Sequence, residues 1–136
     1  IGLVESVYMV AEGLGWTLDR IDESLDPVVS PRHVQTPFLE VQEGRVAGIH
    51  HAASGFVGNR EVVSLDLKMY VGADEPLDAV RVHGDPPIDL VVHGGIFGDT
   101  ATVATLVNTA PLVIGARPGL LTMRDIPLPR AFAAVV

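Results

Sequence analysis

The sequence contains no cysteine among its 136 residues. Disulfides and thiolate metal sites are therefore excluded, and a reducing, cytoplasmic compartment is the expectation. Basic residues are scarce: nine Lys and Arg face seventeen Asp and Glu, for a formal net charge of −8. Such a surface repels nucleic acid and anionic lipid, and no basic stripe or basic-aromatic run reverses it, so no nucleic-acid partner is expected. Long apolar runs are missing as well. The longest uncharged stretch, Thr100 to Ala116, is too short to cross a bilayer and carries several Thr, an Asn and a Pro; no membrane partner is expected. Gly-x-Ser-x-Gly, a Walker loop and Gly-x-Gly-x-x-Gly are all absent, which removes the nucleophile elbow and the usual phosphate cradles. The chain opens on Ile-Gly-Leu-Val-Glu, without an initiator Met or a signal-like apolar block. The expectation is a piece cut from inside a longer protein.

The residues that are present suit one domain, able to bury about two-thirds of its extended surface without staples. From Leu3 to Leu14 the apolar residues Leu3, Val7, Val10, Ala11 and Leu14 recur at helical spacing, with Glu5 and Glu12 off that face. The pattern predicts an amphipathic helix stopped by Gly13 and Gly15, with Trp16 folding back onto its end. Asp19 to Asp26 is acidic and alternating, an exposed edge strand or a solvated loop; calcium-loop spacing is lacking, so a solvated face is preferred to a cation site. Pro27, Pro31 and Pro37 then break any helix and mark linker or strand-edge positions.

Strand character fills the middle. Phe38 to Gln42 and Arg45 to Ser54 flank Glu43-Gly44, which predicts a hairpin, and Gly58-Asn59 makes the next turn. From Val63 to Val71 the alternation is regular: Val63, Leu65, Leu67, Met69 and Val71 share one face, and Ser64, Asp66, Lys68 and Tyr70 the other. Ala79 to His83 reads as a short strand, Asp85-Pro86-Pro87 as a turn, and Ile88 to Val92 as an interior strand covered on both sides. The predicted class is α+β: a single domain over residues 1–136 with a mixed, largely antiparallel sheet of about five strands and helices on one face.

The glycine-rich segment His93-Gly94-Gly95-Ile96-Phe97-Gly98-Asp99-Thr100 leads from that last strand into a helix expected to reach about Gly115. Asp99 is the expected N-cap, in preference to an anion site, because its carboxylate would take the free amides and repel a phosphate. Val103, Leu106, Val107, Ala110 and Ile114 form the expected core-facing side, and Pro111 the expected kink. The neighbouring charges Arg124 and Asp125 suit a local salt bridge, with partner contact and substrate clamp as alternatives. His50 and His51 are adjacent in a strand and point to opposite faces, and no His-x-x-x-His spacing exists, so no metal site is expected.

Gly94-Gly95, then Gly98-Asp99-Thr100-Ala101-Thr102-Val103-Ala104, Leu106-Val107-Asn108, and Pro118-Gly119-Leu120-Leu121-Thr122-Met123-Arg124-Asp125-Ile126-Pro127-Leu128-Pro129-Arg130 together resemble the end of the dihydrodipicolinate reductase-like proteins, closest to the 2,4-diaminopentanoate dehydrogenase branch. Gly2-Leu3-Val4-Glu5-Ser6 and Met69-Tyr70-Val71-Gly72-Ala73 are similar to the same branch. The resemblance implies a C-terminal α+β domain that supplies substrate contacts and subunit assembly, behind a Rossmann domain that binds NAD or NADP and lies outside this chain. It implies hydride transfer between nicotinamide and an amino-bearing carbon or cyclic imine, an amino-acid-like substrate, and a homo-oligomer, dimer or tetramer. The matching polar positions are Asp99, Thr100, Thr102, Asn108, Arg124 and Asp125, to which it assigns substrate contact; it supplies no catalytic residue and no cofactor contact here. The His-His pair of dihydrodipicolinate reductases precedes a Lys-x-Asp-x-Pro-Ser-Gly loop, whereas His50-His51 precedes Ala52-Ala53-Ser54-Gly55, so those roles are not carried over.

The chain then admits two readings. In the first it is the rear domain of an NAD(P)-dependent oxidoreductase, inactive alone because the hydride chemistry belongs to the cofactor. In the second it is a binding or assembly module without catalysis. A self-contained small enzyme is disfavoured, since no acid, base and nucleophile set emerges.

Overall fold

The computed structural model describes residues 2–131. The chain divides into two compact units, Ile1–Ala73 and Asp74–Val136.

The first unit begins with helix α1 (Leu3–Gly13), whose buried residues Val7 and Ala11 lie one turn apart, as the spacing predicts. Its end is a Schellman motif. Gly15 takes φ +76°, its amide donates to the Glu12 carbonyl at 2.9 Å, and the Trp16 amide reaches back to the Ala11 carbonyl at 2.8 Å. Strands β1 (Arg20–Val29), β2 (Val34–Gln35), β3 (Glu40–Val41), β4 (Val46–Val57) and β5 (Arg60–Tyr70) come next. The main sheet has the order β1-β4-β5, antiparallel throughout. The acidic segment thus becomes the edge strand β1, and Pro27 sits within it, where a missing amide costs least.

The hairpin expected across Glu43-Gly44 does not form. The turn is present, with Gly44 at φ +77° and the Arg45 amide on the Gln42 carbonyl at 3.1 Å. But β3 pairs with β2, because both edges of β4 are already taken, by β1 and β5. Gly58-Asn59 does join β4 to β5 as a two-residue turn, from Val57 to Arg60.

The register places three-residue rows across the sheet. On one face lie Ile21, Gly55 and Val63, then Glu23, Ala53 and Leu65, then Leu25, His51 and Leu67, then Pro27, Ile49 and Met69. Helix α1 covers the first two rows: Val7, Ala11, Ala53 and Val63 form the buried core, with Leu3, Leu18, Ile21, Val62 and Leu65 packed around it. Gly55 makes room for this, since a Cβ there would stand 2.7 Å from Leu18 Cδ1 and 2.8 Å from Val7 Cγ1. Beyond the helix the same face is open, with Leu67 41% and Met69 61% exposed.

The second unit contains β6 (Leu77–Val82), β7 (Ile88–His93) and α2 (Gly98–Ile114). β6 and β7 pair with each other alone, Val80 opposite Leu90 and Val82 opposite Ile88. The apolar run of β7 is therefore not an interior strand: Ile88 and Leu90 are both more than half exposed. Helix α2 has no buried residue. Its expected core-facing side is the exposed one, with Val103, Leu106, Val107 and Ile114 in water, while Ala101, Asn108 and Leu112 on the opposite side are half-buried. The polar residues Thr102, Thr105, Asn108 and Thr109 lie together on the side of Ala101 and Leu112, so the side left exposed among the described residues is the apolar one.

The α+β class and the largely antiparallel pairing are as expected. The described strands form sheets of three, two and two, rather than a single sheet of about five. No described helix is long and apolar enough to cross a membrane.

Candidate functional site

All six positions singled out for substrate contact, Asp99, Thr100, Thr102, Asn108, Arg124 and Asp125, fall in the second unit. The structure does not gather them at one point. At about 100° per residue, Asp99 and Thr102 share one side of α2, while Thr100 and Asn108 share roughly the other. Asp99 is not the N-cap. That position is Phe97, without a side-chain cap, and Asp99 lies inside the first turn, where its charge still favours the positive end of the helix. Thr100 is exposed on the same turn. Thr102 turns its hydroxyl back onto the Gly98 carbonyl at 2.9 Å, the usual way for a helical threonine to satisfy itself. Asn108 is half-buried.

Around Asp125 the structure does build a cluster. Its Oδ2 accepts from the Thr122 amide and the Thr122 hydroxyl, both at 2.9 Å, and its Oδ1 accepts from Arg117 Nη2 at 2.8 Å. The Asp125 amide closes the turn onto the Thr122 carbonyl at 3.0 Å. A local salt bridge therefore exists here, with Arg117 as its cation. The Thr122 amide first, then the Thr122 hydroxyl and Arg117, hold the Asp125 carboxyl below its ordinary value near 3.8. A carboxylate so engaged shapes the loop; three of its roughly four acceptor sites are used within the chain.

The glycine turn before α2 is organised by a residue that no sequence motif marks. Gly94 and Gly95 take φ +84° and +71°, a conformation open to glycine at little cost. Their neighbour Ile96 donates its amide to Asp78 Oδ2 at 2.6 Å, and the Gly94 amide donates to the Pro76 carbonyl at 2.9 Å. Asp78 lies opposite Val92 in the β6–β7 register, so strand pairing delivers its carboxylate to the turn. The Ile96 amide is thus satisfied from within the chain. With its Ile96 amide taken by Asp78 and no Gly-x-Gly-x-x-Gly, this turn does not fit the pyrophosphate of a nicotinamide dinucleotide.

The histidine pair divides as its adjacency requires. His50 faces the polar side of the main sheet and donates to Asp66 Oδ2 at 2.7 Å. His51 faces the apolar side, is 4% exposed, and donates to Glu23 Oε1 at 2.7 Å. Glu23 stands one row from His51 on a neighbouring strand, so this pair is legible only through the register. Among the described residues no group of three or more His, Asp or Glu is placed to hold a metal ion.

A family model described as the 2,4-diaminopentanoate dehydrogenase C-terminal domain matches residues 1–136. The 2,4-diaminopentanoate dehydrogenase of Acetoanaerobium sticklandii is 33% identical over 136 aligned positions, which take in 96% of this chain and 38% of that protein. The chain thus spans well under half the length of that relative. An amine dehydrogenase from Mycobacterium smegmatis shares the fold, with a TM-score of 0.74 at 20% identity over 90% of this chain and 37% of that structure. By sequence over its whole length, this chain belongs to the family of 2,4-diaminopentanoate dehydrogenase C-terminal domains.

Proposed function

We propose that this chain serves as the C-terminal part of an NAD(P)-dependent dehydrogenase acting on an amino acid or cyclic imine, where it supplies substrate contacts and holds subunits together. One observation carries the reading: the match over residues 1–136 to a domain named for 2,4-diaminopentanoate dehydrogenase, with a relative of that activity of which the chain covers 38%. The nicotinamide, when bound, supplies the hydride chemistry. The residues of this chain would bind and orient the amine-bearing substrate. Arg124, Asn108 and Thr100 are the proposed contacts, with Asp99 supplying negative charge nearby on α2. Asp125 is proposed to act indirectly, by fixing the loop that carries Arg124.

The chain alone is expected to be inactive, because the dinucleotide fingerprint Gly-x-Gly-x-x-Gly does not occur in it. The test is reduction of NAD or NADP by the product of the complete gene in the presence of 2,4-diaminopentanoate, followed by a panel of amino acids. Turnover by the complete protein and none by residues 1–136 is the expected result. If the complete protein reduces neither cofactor with any substrate of this class, the dehydrogenase reading fails and an assembly module remains. Alanine at Arg124 should raise KM at least tenfold if its guanidinium meets a substrate carboxylate. Unchanged kcat and KM for Arg124→Ala and Asp99→Ala would reduce both residues to structural parts.

A further inference from the structure

We draw no further inference here: the strongest candidate, the exposed apolar side of α2 formed by Val103, Leu106, Val107 and Ile114, carries none, because nothing in the structure shows what covers it.

Discussion

Asp125 stays ionised further into acid than a free aspartate, because the Thr122 amide and hydroxyl and the Arg117 guanidinium all favour its charged form. Its folded value is depressed, so its contribution to stability is fully present above the ordinary value near 3.8 and is lost as pH falls through the lower folded value. Titration measured by NMR should give the Asp125 carboxyl a midpoint below 3.8; Arg117→Ala should raise that midpoint, and Thr122→Ala should raise it as well. Two glycines make the complementary steric case. A Cβ at Gly48 would sit 2.1 Å from the Met69 carbonyl oxygen and 2.5 Å from Tyr70 Cα, whereas at Gly55 it would meet side-chain carbons at 2.7 and 2.8 Å. Backbone cannot step aside as a leucine methyl can. Gly48→Ala is therefore expected to cost more than Gly55→Ala in thermal unfolding, with both in the range of about 1–3 kcal/mol or above.

At the scale of elements, α1 is the piece whose sequence and surroundings agree throughout: apolar spacing, glycine stop and cover over the sheet. Val7 is fully buried there, so Val7→Ala should lower stability by about 1.5–3 kcal/mol in denaturant unfolding. Gly15→Ala, at φ +76°, should cost about 1–2 kcal/mol. The elements legible in the sequence are those specified by local rules, namely α1, the β4–β5 turn and the alternation of β5. The illegible ones are decided by competition between distant segments. The turn at Glu43-Gly44 can be read locally, but its pairing cannot, because β1 takes the edge of β4 that β3 would need. The exposure of α2 is equally hidden, because its apolar side, opposite Thr102, Thr105, Asn108 and Thr109, reads locally as the side that packs. The candidate site divides in the same way: Asp125 is visible as a charge in the tail, while its partners Thr122 and Arg117, and the Asp78 carboxylate in the glycine turn, come from loop closure and strand pairing that no local pattern encodes.

Across the whole molecule, burial is unequal. Every buried residue among those described, including Val7, Ala53, Val63 and His51, belongs to the unit Ile1–Ala73. Protection against hydrogen exchange tracks burial and bonding. In residues 1–136 alone, amides of β4 should exchange slowest and those of α2 among the fastest. In the complete protein the α2 amides should slow if its exposed apolar side is covered there. Equal rates for β4 and α2 in the isolated chain would contradict this ordering of stability.

The central place of β4 bears on how the chain reaches its fold. Its pairing with β5 closes through two residues, Gly58 and Asn59, whereas its pairing with β1 joins Arg20 to Phe56 and Val29 to Val46 across the whole β2–β3 excursion. The entropy of closing that longer loop must be met before its contacts are gained. The β4–β5 ribbon is thus expected to form ahead of the rate-limiting step, and β1 to join after it. Substitutions at Gly58 should slow refolding, while substitutions at Leu25 in β1 should leave refolding nearly unchanged and chiefly hasten unfolding.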